Sequence, residues 1–470
     1  MDKDQLREIL EKMPEFGDEI LEDLTTKELT EKLADPETKD HDKSYIYFIL
    51  DERKDAGEDL SDVIPELKRI LITSDHEAED QTDNVSLVSI LVSHYAKEKN
   101  WSGIKEVLEC KNDIIRSVAI GNLINLIEEG EDISPLLPYL KDKTDLYSVR
   151  LLCTYYLEKG EFNEVCKYYN GRNEERRIGA FQAILETAKR GVDVSFFKMD
   201  IKIHMISDDA RTIETATMIL VYQYIHEGDW HFIGDWFRKG DANERRGIVN
   251  AVKSLPGLTS SHRPTAFKKE HIHPTVYKIM EKALYDEDRE VRNAASKGFT
   301  LEIRQDILGV PENFKIKTGF IDNIHEKNKL KIKVRSLLIN TEESNYINEI
   351  KEDITPLLIE FMTDSAPEVA TNSTNILLER LRESVFEKID RADYFPALQE
   401  IKEFSNMVNK QKASLHPKLR RGIISFLNQL SGIVQDKMNK RDSIDPLKLK
   451  KLVKDIKDYA AERKTPVRQR

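Results

Sequence analysis

Three stretches of the chain align with one another without a gap, and this constrains the fold more than any other feature. The first carries Leu91, Tyr95, Trp101, Ile104, Leu108, Arg116, Ala119 and Leu123. The second, 61 residues on, carries Leu152, Tyr156, Phe162, Val165, Tyr169, Arg177, Ala180 and Ile184. The third, a further 68 residues on, carries Leu220, Tyr224, Trp230, Ile233, Phe237, Arg245, Ile248 and Val252. Self-similarity of this kind marks a repeat array, in which each unit buries its apolar face against the next.

Within one unit the spacing predicts helices. Leu91 and Tyr95 stand four apart on one helical face, and Trp101, Ile104 and Leu108 recur at three and seven. Between these stripes lie Lys99-Asn100, Gly160-Glu161 and Gly228-Asp229, where glycine supplies the left-handed turn that ends a helix. Polar breaks at Lys111-Asn112-Asp113, Gly171-Arg172-Asn173 and Lys239-Gly240-Asp241 precede a third helix. That helix closes on Gly57-Glu58-Asp59-Leu60-Ser61, Gly130-Glu131-Asp132-Ile133-Ser134 and Gly191-Val192-Asp193-Val194-Ser195, near-copies that cap one helix and start the next. A fourth helix follows at Pro135 to Leu140 and at Asp62 to Leu71. Four helices per unit make two helical hairpins of just over 30 residues each, as the offsets require.

Asp113-Ile114-Ile115-Arg116-Ser117-Val118-Ala119 and Asp286-Glu287-Asp288-Arg289-Glu290-Val291-Arg292-Asn293-Ala294-Ala295 resemble the Asp–Val–Arg–Ala pattern of the HEAT-repeat family. Tyr155 to Phe162 also looks like a tetratricopeptide hairpin, but the recurring arginine favours HEAT. The resemblance implies an all-α, right-handed α-solenoid of stacked antiparallel hairpins, with Asp and Arg tying adjacent repeats together. It is clear from about Ser44 to Gly257 and patchy beyond. Later hairpins are expected at Val276–Leu301, Thr355–Leu381 and Pro417–Leu430, while Glu302–Asn345 is irregular. The expected organisation is an N-terminal array over 1–257, a proline-marked bend over 258–274, a divergent array over 275–440, and a basic helix and tail over 441–470.

Charged residues make up 34% of the chain and apolar ones 39%, a balance that suits amphipathic helices with large solvated faces. The net charge of −12 is uneven: from Asn409 to Arg470 there are 17 Lys and Arg against 6 Asp and Glu, so the end carries +11 and the preceding part −23. The N-terminal residues Met1 to Gln5 are charged and lack an apolar signal region, and no stretch has the roughly 20 apolar residues of a membrane span. The three cysteines have no zinc-type spacing and suit a reducing, cytoplasmic location.

Sequence motifs for chemistry are weak. His76-Glu77, His226-Glu227 and His325-Glu326 invite comparison with deoxyhypusine hydroxylase, a HEAT-type enzyme that binds iron through His-Glu pairs. Here the pairs sit at unlike places in the repeat and read as surface residues. In Glu270-His271-Ile272-His273 two histidines at i and i+2 would point apart on a helix. Trp101, Phe162 and Trp230 read as packing between hairpins, and the acidic runs Asp51–Asp62 and Asp75–Asp83 as solvated faces. No catalytic site, cofactor site or metal site is expected.

The function these features support is a non-catalytic protein-interaction scaffold for a basic or extended partner. Candidate binding residues are the arginine column Arg116, Arg177 and Arg245, which reads first as a structural ladder pairing with carboxylates of the neighbouring turn, and Lys448, Lys450, Lys451, Lys454 and Lys457 of the basic end, whose helix reads first as a cap on the solenoid. Nucleic-acid binding, as in HEAT-like alkylpurine glycosylases or through the C-terminal lysines, is a second reading that the acidic body opposes. A HEAT-type metalloenzyme is the third.

Overall fold

The computed structural model describes residues 21, 24–35, 37–74, 83–171, 173–207, 209–255, 273–307, 326–340, 344–350, 353–411, 414–415 and 417–438. Among them there is no β-strand. The chain divides into two compact units, Met1–Ile203 and His204–Arg470.

The first unit holds α1 (Thr26–Ala34), α2 (Asp40–Asp55), α3 (Ile64–Ser74), α4 (Asp83–Lys97), α5 (Trp101–Leu108), α6 (Asp113–Glu128), α7 (Leu137–Lys141), α8 (Leu146–Glu158), α9 (Phe162–Tyr169) and α10 (Glu174–Lys189), with α11 (Lys198–His204) at its end. Packing follows chain order. The long helices α2, α4, α6, α8 and α10 each lie on the next, and the short helices α3, α5, α7 and α9 pack against the long ones beside them. This is the packing of an α-solenoid, in which contacts link only neighbouring repeats.

The second unit holds α12 (Ala210–His226), α13 (Trp230–Lys239), α14 (Ala242–Ser254), α15 (Pro274–Ala283), α16 (Arg289–Ile307), α17 (Glu326–Ile339), α18 (Thr355–Phe361), α19 (Pro367–Asp390), α20 (Tyr394–Lys410) and α21 (Pro417–Met438). Again α12, α14, α16, α17 and α19 stack in chain order, with α13, α15 and α18 beside them. Two sequence expectations change here. Pro417–Leu430 is not a hairpin but the start of one long helix, because no proline or polar turn interrupts it before Met438. The region Glu302–Asn345, unplaced by its pattern, contains the end of α16 and all of α17. The bend at 258–274 falls outside the described residues except for His273 and Pro274.

The repeat columns explain the core. In all three copies the Leu, Tyr, Ile/Val, Leu/Tyr/Phe, Ala/Ile and Leu/Ile/Val positions are buried. Two columns are only half-buried: the aromatic residue opening the short helix and the arginine. Phe162 packs on Phe196 and Phe197 with ring centres 5.3 and 5.6 Å away, and Trp230 stacks on His273 at 5.1 Å. These aromatics therefore join neighbouring helices rather than fill the core. The turns before α5, α9 and α13 use positive φ at Lys99 (53°), Gly160 (71°) and Gly228 (75°). Asn112, Asn173 and Asp241 cap α6, α10 and α14, each accepting backbone N–H bonds with its side-chain oxygen.

Candidate functional site

The caps just described place an arginine four residues later, on the first turn of a long helix. Arg245 shows what that position can do. Its Nη1 donates to the Gly240 carbonyl and its Nη2 to Asp286 Oδ1, both at 2.9 Å, while Nε lies 2.8 Å from the other Asp286 oxygen without a hydrogen bond. Asp286 belongs to the acidic turn between α15 and α16. Arg292, four residues after the capping Asp288, repeats the arrangement. It donates to the Asp286 and Glu287 carbonyls at 2.7 and 2.8 Å and pairs with Glu368 at 2.5 Å.

Arg116 makes the backward bonds, to the Cys110 and Lys111 carbonyls at 2.7 and 3.1 Å, but its carboxylate partner is Asp113 in its own helix. Its guanidinium lies 5.8 Å from the Tyr147 ring of α8. Arg177 is half-buried and forms no ion pair among the described residues. The three arginines thus share a position in the repeat but not a partner. Lys448, Lys450, Lys451, Lys454 and Lys457 lie outside the described residues.

Among the described residues no group of three His, Cys, Asp or Glu side chains is placed to hold a metal. His226 is exposed at the end of α12, and Glu227 accepts a bond from Gln223 at 3.0 Å. His273 caps α15, its Nδ1 accepting from the Thr275 N–H at 3.2 Å. His76, Glu77, His325 and His271 lie outside the described residues.

A site that no single motif announced runs across α2, α4 and α6. It is a groove of about 520 Å³ lined by the C-terminal halves of these helices and the loops that follow. Five carboxylates line it, Asp51, Glu58, Asp59, Glu98 and Glu129, against Lys54, Lys97 and His94. Ser89, Ser93, Asn122 and Asn125 add neutral polar groups along its length. Lys54 is half-buried and anchored, donating to Asp51 at 2.6 Å and to Ser89 Oγ at 3.1 Å. Ser61 donates through both its hydroxyl and its N–H to Asp59 and holds that carboxyl below the usual carboxylate range.

Helix geometry deepens the negative potential. Glu98 follows the last residue of α4, and Glu129 is the C-cap of α6. A carboxylate at a helix C-terminus adds to the partial negative charge of the unpaired carbonyls, which disfavours the helix slightly and favours a cation nearby. Further along the same unit this charge is neutralised internally. Arg190, the C-cap of α10, bonds Glu158 at 2.6 Å and lies 3.3 Å from Glu128. In the groove, Arg53 lies 3.7 Å from Glu58 and Lys54 pairs with Asp51, while Asp59, Glu98 and Glu129 form no ion pair among the described residues.

No family model matches the chain, and no curated protein matches it in sequence. Among solved structures the chain is similar to yeast importin-beta, with 11% identity and a TM-score of 0.30 over 93% of this chain. It spans 65% of that protein's length. So loose a likeness carries no argument about activity, and the helical array rests on the packing described above. No described helix is long and apolar enough to cross a membrane.

Proposed function

We propose that the chain is a non-catalytic scaffold of right-handed HEAT-type α-solenoid form, whose groove over α2, α4 and α6 receives an extended basic segment of a partner protein. The observation that carries this reading is the groove's composition: five carboxylates, of which Asp51 pairs with Lys54 and Glu58 with Arg53, while Asp59, Glu98 and Glu129 form no ion pair among the described residues and the last two stand at helix C-termini. An extended peptide suits a groove that crosses successive helices, because its side chains can meet one helix after another. Lysine or arginine side chains would pair with Glu98 and Glu129, and the serine and asparagine side chains would meet the peptide backbone. The same charge opposes a phosphate backbone.

Fluorescence anisotropy separates the readings. The full chain is titrated against a Lys/Arg-rich peptide, a Glu-rich peptide and duplex DNA at about 50 and about 200 mM salt. The proposal expects the basic peptide to bind, with affinity falling as salt rises. Binding of DNA alone would transfer the function to the C-terminal lysines, and binding of neither would overturn both readings.

A further inference from the structure

A second surface stands apart from the groove, on α11 and the turn before it. Here Phe196, Met199 and Ile203 are 50%, 73% and 65% exposed. They stand at i, i+3 and i+7, so they form one stripe about 10 Å long at 1.5 Å per residue. The other side of the element is taken up by the fold. Phe197 and Ile201 are buried, and the Tyr169 hydroxyl donates to Asp200. The Phe196 ring is fixed against Phe162 and Phe197, with centres 5.3 and 5.2 Å away.

The repeat itself shows that the fold does not ask for these apolar residues. Aligned on Ser61, Ser134 and Ser195, the same three positions are Asp62, Pro65 and Arg69 in the first copy and Pro135, Pro138 and Asp142 in the second. All six are exposed, as are Phe196, Met199 and Ile203. One position in the architecture is therefore solvent-facing three times, polar or proline twice, and apolar once. A stripe of large apolar side chains at a solvent position is the mark of an interaction surface. Exposed Lys202 stands beside Ile203, so the stripe has a basic flank on a chain whose net charge is −12.

We infer that this stripe docks an amphipathic helix of a partner protein, its apolar residues at i, i+3 or i+4, and i+7, flanked by carboxylates of which one meets Lys202. Phe196 is the anchor, because its ring is already immobilised and little freedom is lost on binding. An anionic membrane would meet the same apolar and basic groups, but the acidic body beside it opposes that approach.

The test uses the full chain and two synthetic amphipathic helices with the same leucine stripe, one rimmed by glutamate and one by lysine, each carrying a photo-reactive leucine. The glutamate-rimmed helix should cross-link within 196–203. Phe196→Asp with Ile203→Asp, which borrow the acidic character of Asp62 and Asp142, should weaken it at least about tenfold, and so should the charge-neutral Phe196→Ala with Met199→Ala. Met199→Asp with Ile203→Asp, which leaves the packing of Phe196 on Phe162 and Phe197 in place, should weaken binding too and keep the parent's melting temperature. Cross-linking elsewhere, or equal affinity for the two rims, overturns the inference. A dimer in sedimentation that the variants abolish assigns the surface to a second copy instead, and binding to anionic vesicles without binding to the peptide assigns it to a membrane; either result also overturns it.

Discussion

Arg245 pairs with Asp286, its Nη2 donating to one carboxylate oxygen at 2.9 Å and its Nε 2.8 Å from the other, and so ties the first turn of α14 to the turn that precedes α16. Both side chains are largely buried, 14% and 8% exposed. Arg292 with Glu368 and Arg335 with Asp364 repeat the relation further along, and Arg335 is fully buried against the Tyr285 ring.

Removing one partner of such a pair leaves a carboxylate desolvated and unmatched. Arg245→Ala should therefore destabilise the second unit by about 2–3 kcal/mol. Arg177→Ala, at the same repeat position but without an ion pair among the described residues, should stay within about 0.5 kcal/mol of the parent. Urea unfolding of the two variants compares them directly.

Two glycines set how closely the long helices approach. A Cβ on Gly179 would stand 2.6 Å from the Leu146 carbonyl oxygen, and one on Gly247 would stand 2.7 Å from Thr217 Cβ and 2.8 Å from the Glu214 carbonyl oxygen. Gly121, in α6, faces open space. Alanine at Gly121 should stabilise by up to about 1 kcal/mol through helix propensity. At Gly179 or Gly247 it should destabilise by about 1–3 kcal/mol, because backbone atoms must move apart. Melting temperatures that rise for all three variants would contradict this account of the interface.

Lys99 occupies the left-handed turn that its counterparts give to Gly160 and Gly228. A side chain costs about 1 kcal/mol or more in that conformation. Lys99→Gly should raise stability by a few tenths to about 1 kcal/mol, since the gain is partly offset by the freedom glycine adds to the unfolded chain. Thermal unfolding followed by circular dichroism measures it.

Cys153 is buried in α8, and desolvation pushes its thiol well above the usual range. Thiolate is the reactive form, so Cys153 should resist alkylation at neutral pH until the unit opens. Half-buried Cys110 and Cys166 should react first. Mass spectrometry after timed alkylation reads the order, and early labelling of Cys153 would show local opening of α8.

The periodic parts of the fold were legible in the sequence because each buried column recurs at one helical register in three copies. The arginine column was legible as a position but not as a set of bonds. Pairing depends on whether the next turn brings a carboxylate within reach, and Asp286 does so while nothing described does for Arg177. Helix α17 escaped because Leu330-Lys331-Ile332-Lys333-Val334 alternates with period two, the pattern of a strand. It is helical all the same, with Val334 to Ile339 buried, Arg335 and Ser336 included. The groove escaped for another reason. Asp51, Glu98 and Glu129 come from three separate helices, so the run Asp51–Asp62, which reads as a solvated face, supplies one wall of a site whose other walls lie far along the chain.

The central claim is that the groove, rather than the acidic body in general, recognises a basic segment. The measurement that tests it is the affinity of a Lys/Arg-rich peptide for two triple variants of the full chain. One carries Glu58→Gln, Glu98→Gln and Glu129→Gln in the groove. The other carries Glu109→Gln, Glu349→Gln and Glu403→Gln at exposed positions outside it. Both remove the same charge. The account predicts at least about a tenfold loss of affinity for the groove variant and little change for the other; equal losses in the two would show that the peptide reads net charge and that the groove is not its site.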